Sequence, residues 1–288
     1  MTLLVLTSIL WAFSFGIVKT CLTDLDASFV SFARLLLSFL VAAPFLRSSF
    51  IGRKDALKLV LLGAVQYGIM YLAYIHAFRY LPAYQVALFT VFTPLYVTLL
   101  DDILEKRFRM LFLLTAGLAV LGTAVIIHRP GTWTGMSTGF WLVQASNLCF
   151  AVGQVLYRRE FKWGVARDRE VFGLMYLGAV GVTLLPAGHA SGWRVPALTV
   201  IQADALLYLG IVASGLGFFL WNVGAKRVNA GALAVLNNLK VPLAVWVSIL
   251  VFRETADLIR VTAGTVIILG ALFVNERMNK AALDVSDP

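Results

Sequence analysis

The sequence predicts an all-α integral membrane protein with about ten transmembrane helices in two inverted five-helix repeats. Three observations predict this fold class: an unusually apolar composition, apolar residues gathered in long continuous runs, and two halves that can be aligned with each other. Of the 288 residues, 60% are hydrophobic and only 14% are charged, whereas a soluble domain is about 45–50% apolar and about 25% charged. The composition therefore excludes a soluble fold.

Ten apolar runs have the length that a membrane-spanning helix needs, about 17–25 residues. They are continuous and lack the two-residue alternation of a lipid-facing barrel strand, so each is predicted to be a helix. No basic segment precedes the first run and no cleavage signature follows it, so this run is expected to be a retained helix and not a signal peptide. In chain order, the predicted spans are Thr2–Val18, Ala27–Leu46, Leu57–Phe78, Ala83–Leu100, Phe108–Ile127, Thr138–Tyr157, Val171–Gly188, Ala205–Ala225, Gly231–Phe252 and Leu258–Val274.

The basic residues between the spans predict the orientation of the chain. With the N-terminus placed in the cytoplasm, sixteen lysines and arginines fall in cytoplasmic connections and six in external ones. This asymmetry favours two cytoplasmic termini under the positive-inside rule. Residues 277–288 are then a short cytoplasmic tail, polar and expected to be disordered. The net positive charge is therefore attributed to membrane topology, and nucleic acid is not expected as a partner.

The two halves of the chain share a sequence pattern. Leu62–Tyr74 aligns on Leu209–Trp221 without a gap, so that two glycines and two aromatic residues coincide. Further pairs in or near this register are Arg79 with Lys226, Pro94 with Pro242 and Glu105 with Glu254. We therefore divide the chain into repeats at 1–130 and 131–276. Because five is odd, the second repeat must enter the membrane from the opposite side, which inverts its topology.

Short motifs in both repeats carry a resemblance to a known family. They are Trp11-Ala-Phe-Ser-Phe-Gly-Ile-Val-Lys19, Phe32-Ala-Arg34-Leu and two units of span, proline and glutamate that end at Glu105 and Glu254. These motifs resemble the drug/metabolite transporter superfamily, EamA type, over nearly the whole chain. A narrower similarity, to its carboxylate/amino acid/amine transporter branch, is carried by 147–157, 213–222 and 236–242. The resemblance implies ten helices, a bacterial inner-membrane location and export of small metabolites.

Lys240 is the strongest candidate for a substrate-binding residue. It lies about ten residues into its span, near the bilayer centre, where a lysine costs about 2.5–3.5 kcal/mol on insertion scales. Its side chain reaches about 6 Å and cannot cross half of the hydrocarbon core, about 15 Å, so it is expected to face protein or water. Asn237 shares its helix face, and Asn238 and Pro242 are adjacent. Structural hydrogen bonding is the alternative role.

Other polar and aromatic side chains recur at helical spacing and are expected to line a cavity together with Lys240. For each of them alone, packing or an interhelical hydrogen bond is the alternative. These further candidates are Trp11, Ser14, Gln66, Tyr74, Thr93, Asn147, Gln154, Trp221 and Asn222. Arg34 is nearer to a membrane surface and is expected to be structural, with Asp24 or Asp26 as its partner.

The sequence therefore predicts a secondary transporter, an exporter of small organic metabolites, that works by alternating access between its repeats. Every acidic residue lies in a connection, at a span end or in the tail, so a buried ammonium favours amino acids or other carboxylates as substrates. The expected partners are a small-molecule solute and the lipid bilayer, and a homodimer is left open. No catalytic residue, cofactor or metal is expected, because the sequence has no HExxH or P-loop pattern and its two cysteines have no metal-ligand spacing.

An enzyme is the alternative class. Asp101-Asp102-Ile-Leu-Glu105 resembles the motif with which intramembrane prenyltransferases hold Mg²⁺ against a diphosphate. Those enzymes need a second acidic motif, and the repeat-equivalent segment Val251–Asp257 does not reproduce it. The simpler interpretation is a charged cap at the end of a span.

Overall fold

A computed structural model describes residues 2–47, 51–106, 118, 121, 133–228, 230–255 and 257–284. The fifth predicted span, Phe108–Ile127, lies outside these residues except for positions 118 and 121, and so does the boundary between the repeats. Within the described part of the chain all regular secondary structure is helical. The helical character predicted from the apolar runs is therefore confirmed, whereas the count of ten stays a prediction.

The described residues form nine helices. They are α1 (Thr2–Cys21), α2 (Ala27–Ala42, followed by a 3₁₀ turn at Ala43–Phe45), α3 (Arg53–Ala77), α4 (Ala83–Glu105), α5 (Trp133–Glu160), α6 (Val165–Ser191), α7 (Val200–Ala225), α8 (Ala230–Leu250) and α9 (Leu258–Asp284). Seven of them, α1 to α7, are long and apolar enough to cross a membrane. In α8 and α9 the described apolar stretches are shorter, Leu239–Leu250 and Leu258–Ile267.

The end of the chain differs from the prediction. Helix α9 continues through Asp284, so the expectation of a disordered tail from residue 277 is wrong for its first eight positions. The segment 277–284 lacks proline and glycine and contains two alanines and a leucine. These residues favour propagation of a helix that is already formed, even where the sequence is no longer apolar.

Helices α3 and α7 are both interrupted by a π-helical segment. The segment in α3 is Ala64–Ile69 and the one in α7 is Tyr208–Leu216. In the register that aligns Leu62 with Leu209, the first of these falls on residues 211–216. Two rare irregularities thus occur at equivalent positions of the proposed repeats, and such irregularities are frequent at functional sites.

The wide turns of the α7 segment leave backbone carbonyls available to side chains of neighbouring helices. The indole Nε1 of Trp11 in α1 donates to the carbonyl oxygen of Ala213 at 2.8 Å. From α2, the Ser38 hydroxyl donates to the carbonyl oxygen of Gly210, also at 2.8 Å. These bonds fix α1 and α2 against the irregular part of α7, which places Trp11 beside the centre of the bundle.

Helices α3 and α6 approach so closely that their backbones touch. A Cβ atom placed on Gly63 would overlap the carbonyl group of Met175, and one placed on Gly178 would overlap that of Val60. Glycine is required at both positions because any side chain would force the helices apart. The two helices therefore cross with their backbones in direct contact at these glycines.

Helices α2 and α6, which the repeat alignment makes equivalent, run antiparallel. The backbone N–H of Arg47, just after α2, donates to the carbonyl oxygen of Glu170, in the first turns of α6, at 2.9 Å. The end of α2 therefore lies beside the start of α6. Equivalent helices of opposite direction are what inverted repeats require.

Two ion pairs lie at opposite ends of this arrangement. At the start of α6, the Lys226 ammonium lies 2.6 Å from Asp168, and the two side chains are 14% and 2% exposed. At the start of α2, Arg79 lies 2.9 Å from Asp26, and those side chains are 46% and 31% exposed. Burial would raise the pKa of Asp26, but backbone N–H groups of Phe29 and Ser28, together with Arg79, outweigh that effect and lower it.

Candidate functional site

A cavity lies at the centre of the bundle, between helices of both proposed repeats. It offers about 70 Å³ to the centres of water molecules, which is room for about five waters. Its lining residues are Trp11, Ser14, Phe15, Arg34, Met70, Tyr71, Tyr74, Thr90, Thr93, Ser146, Asn147, Phe150, Phe218 and Lys240. Ligand sites commonly have about 300–1,000 Å³, so a metabolite enters only if the helices move apart.

Lys240 reaches the cavity from α8 and is surrounded by aromatic rings. Its Nζ atom lies 5.1 Å from the ring centre of Trp11, 5.4 Å from that of Phe150 and 6.0 Å from that of Trp221. The residue is only 6% exposed, and within the described part of the chain its ammonium has neither a hydrogen bond nor an ion pair. Aromatic faces compensate a desolvated cation only in part, so an anion in the cavity would be strongly favoured.

Arg34 is the second cation of the cavity. Its Nη2 atom donates to the Tyr71 hydroxyl at 2.8 Å and to the Ser214 hydroxyl at 3.1 Å. The expectation that it pairs with Asp24 or Asp26 is wrong, because Asp26 caps α2 and pairs with Arg79. Arg34 instead turns towards the irregular segment of α7, whose Ser214 hydroxyl is within reach.

Neutral polar groups occupy the side of the cavity formed by α4 and α5. The Thr93 hydroxyl donates to the side-chain oxygen of Asn147 at 3.2 Å, and the Asn147 amide donates to the carbonyl oxygen of Phe89 at 2.9 Å. That carbonyl lies just before the 3₁₀ turn Thr90–Phe92 that interrupts α4. The two predicted residues therefore meet, and the bonds between them hold α4 against α5.

Six of the twelve predicted binding residues line the cavity and five do not. Those at the cavity are Trp11, Ser14, Tyr74, Thr93, Asn147 and Lys240, and those away from it are Gln66, Gln154, Trp221, Asn222 and Asn237. The side chain of Asn238 lies outside the described part of the structure. Which of these residues bind a substrate stays a prediction.

The five residues away from the cavity are buried between helices. Asn237 donates to Gln154 at 3.5 Å, and Asn222 donates to the Tyr67 hydroxyl. Trp221 packs on Trp11 with ring centres 5.0 Å apart. Gln66 fills the space that Gly153 leaves open. These contacts are interhelical packing and hydrogen bonds, which the sequence analysis gave as the alternative role of such residues. They hold together the helices that carry the lining residues.

Eight lining residues are not among the predicted binding residues, namely Phe15, Arg34, Met70, Tyr71, Thr90, Ser146, Phe150 and Phe218. Several of these gave a usable signal. Phe150 corresponds to Trp11 in a different register of the two halves, in which Trp11-Ala12 falls on Phe150-Ala151, and Thr90 mirrors Asn237 in the ungapped register. Arg34 was identified as a charge within a span, but its depth along one helix does not reveal which other helices surround it.

The acidic cluster at the end of α4 forms ion pairs with an arginine of the same chain. Arg159 of α5 lies 2.8 Å from Asp101 and 3.0 Å from Glu105. An arginine at this distance competes with a metal ion for the same carboxylates. Within the described residues, no group of three or more His, Cys, Asp or Glu side chains is arranged to hold a metal.

A bundle of membrane-length helices around a small cavity lined by polar, aromatic and cationic groups is typical of a membrane transporter. The model of the EamA-like transporter family matches residues 1–128 and 137–276, so the chain belongs to this family. The resemblance found in its motifs is thereby confirmed. The family match gives no support to the prenyltransferase alternative.

Individual relatives agree with this assignment, and a solved structure shares the fold. The biotin transporter of Escherichia coli (strain K12) is 37% identical over 286 residues, covering 96% of this chain and 93% of its own. The probable biotin transporter of Pseudomonas aeruginosa is 39% identical over 280 residues, covering 96% and 97%. A crystal structure with 17% identity superposes with a TM-score of 0.71, covering 94% of this chain and 97% of its own, which supports the fold alone.

Proposed function

We propose that this protein transports biotin, or a carboxylate closely similar to it, across the membrane. The observation that carries the proposal is the Lys240 ammonium, which has no acidic partner among the described residues and lies in a cavity without a lining carboxylate. Biotin carries a carboxylate at the end of an alkyl chain, so it supplies the anion that Lys240 lacks. The names of the two relatives at 37% and 39% identity support the same substrate.

Biotin replaces amino acids as the first candidate within the class of carboxylates. An amino acid brings an ammonium group as well as a carboxylate, and the two cations of the cavity would repel it. The lining contains no acidic residue to compensate that charge. The names of the two relatives are not those of amino acid transporters.

Transport in liposomes tests the proposal directly. Purified protein is reconstituted, the liposomes are loaded with unlabelled biotin, and accumulation of labelled biotin by exchange is followed. We expect exchange above that of protein-free liposomes, with competition by free biotin and much weaker competition by its methyl ester or amide. Loading only one side tests export, the direction that the family resemblance implies. Exchange of amino acids with none of biotin would contradict the proposed substrate.

We further propose ten helices in two inverted repeats, with both termini in the cytoplasm. The equivalent π-helical segments, the antiparallel direction of α2 and α6, and the family match on either side of residue 130 support the repeats. The distribution of basic residues supports the orientation. Movement of one repeat against the other would then open the cavity alternately to each side.

Cysteine labelling tests this topology. Gly192 follows α6 in a connection that the proposal places outside the cell, and Lys58 lies in the first turns of α3, which the proposal places on the cytoplasmic side. In a variant without Cys21 and Cys149, a Gly192→Cys protein should react with an impermeant thiol reagent in intact cells, and a Lys58→Cys protein only after lysis. The reverse pattern would place both termini outside.

A further inference from the structure

Arg34 has hydrogen-bond donors that the protein leaves unused. The residue is 1% exposed, and its Nε and Nη1 atoms are buried without a partner in the described part of the chain. It forms no ion pair with a described acidic residue. Buried donors of a charged group are normally satisfied, because an unpaired one costs free energy. Since Arg34 lines the cavity, a bound molecule can supply the missing acceptor.

The unused N–H groups of Arg34 determine which kind of acceptor on a ligand this residue can bind. A guanidinium binds a carboxylate with two parallel N–H groups, either from Nε and Nη2 or from Nη1 and Nη2. Nη2 belongs to both pairs, and its two hydrogens already serve Tyr71 and Ser214. Arg34 therefore offers single N–H groups, which suit a carbonyl oxygen better than a carboxylate.

An aromatic surface connects Arg34 with Lys240. The Arg34 guanidinium lies 4.4 Å above the Tyr71 ring, and the Tyr71 and Phe218 ring centres are 5.8 Å apart. Phe218 lies 5.2 Å from Trp11, whose ring is 5.1 Å from the Lys240 ammonium. A continuous series of three rings, those of Tyr71, Phe218 and Trp11, thus connects the two cations of the cavity.

We infer that Arg34 is a substrate-binding residue that donates to a carbonyl oxygen at the end of the ligand opposite its carboxylate. The ligand class is then an elongated molecule with a carboxylate, an apolar middle and a neutral carbonyl acceptor. This inference rests on the proposed function, and biotin satisfies it with its carboxylate on Lys240, its rings on the aromatic surface and its ureido oxygen on Arg34.

Binding of three ligands to purified variants distinguishes the contact at the carboxylate end of the ligand from the contact at its carbonyl end. Biotin is compared with its amide, which lacks the carboxylate charge, and with 2-iminobiotin, in which a basic imino group replaces the ureido oxygen. Wild-type protein should bind biotin at least roughly tenfold more tightly than either analogue. In Arg34→Gln the preference over 2-iminobiotin should disappear while that over the amide persists. Lys240→Gln should show the opposite pattern.

A matched control distinguishes binding from a structural role. Ser214→Ala removes one acceptor of Nη2 but leaves Nε and Nη1 untouched, so the preference over 2-iminobiotin should persist even though the hydrogen bonds around Arg34 are disturbed. If Arg34→Gln does not insert, Arg34→Lys serves instead, because it keeps a cation while removing the specific N–H groups; a reduced preference over 2-iminobiotin is expected.

The outcomes are distinguishable. Equal weakening of all three ligands in Arg34→Gln, or loss of the preference over the amide, would overturn the assigned role of Arg34 while leaving biotin as the substrate. Tighter binding of a straight-chain dicarboxylate than of biotin would overturn the inference that Arg34 binds a neutral acceptor. Failure of wild-type protein to bind biotin would overturn the proposed function together with this inference.

Discussion

Replacing Lys226 by glutamine is expected to lower the free energy of unfolding by about 3–5 kcal/mol. The substitution removes the ammonium 2.6 Å from Asp168, whose side chain is only 2% exposed. The Tyr157 hydroxyl, which donates to Asp168 at 2.7 Å, supplies a hydrogen bond but no positive charge. A buried charge is then left without its counterion, and this penalty exceeds the value of the lost bond.

A matched control is available at Arg79, the residue that the sequence alignment of the two halves places on Lys226. Arg79→Gln also removes the cation of an ion pair, but Asp26 is 31% exposed and keeps the backbone N–H groups of Ser28 and Phe29. The expected cost is at most about 1 kcal/mol, as for other exposed pairs. Denaturant titrations of both variants in one detergent measure the two changes. Equal losses would show that burial does not decide the contribution of these pairs.

Local sequence predicted the helices because the bilayer imposes one strong rule, that backbone polar groups in hydrocarbon must be satisfied within the segment. The positions of the apolar runs therefore agree with the helices over the described residues. The π-helical segments could not be predicted in the same way. Their extra backbone width is stabilised by side chains from other helices, such as Trp11 on Ala213, and these partners are distant in sequence.

The candidate site was predictable in part for a related reason. Lys240 was identified because a cation deep in a span has few acceptable environments, and it does line the cavity. Helical spacing predicted that Asn237 lies on the same face of α8 as Lys240. One helix face is, however, wide enough to contact both a cavity and a neighbouring helix. Asn237 contacts Gln154 of α5, and only the packing of α8 against α5 distinguishes these two surroundings.

Replacing Lys240 by glutamine is expected to weaken binding of biotin roughly ten- to a hundredfold, because one charged hydrogen bond contributes about 1.5–3 kcal/mol. The ammonium has three aromatic rings within 6.0 Å but no anion among the described residues. An arriving carboxylate therefore gains the full attraction of a charge in a medium of low dielectric constant. Biotin amide, which carries no charge, should lose much less affinity, and the ratio of the two dissociation constants is the decisive measurement.

Lys240→Arg tests whether a positive charge at this position is what favours the carboxylate. It restores a permanent cation, so part of the preference for the carboxylate should return, limited by the larger planar head between Trp11 and Phe150. Lys240→Met, which keeps the length without the charge, should behave like Lys240→Gln, so the effect follows charge and not hydrogen-bonding capacity. If a correctly inserted Gln variant binds biotin and its amide in the wild-type ratio, Lys240 is structural, and the carboxylate must be recognised elsewhere in the cavity.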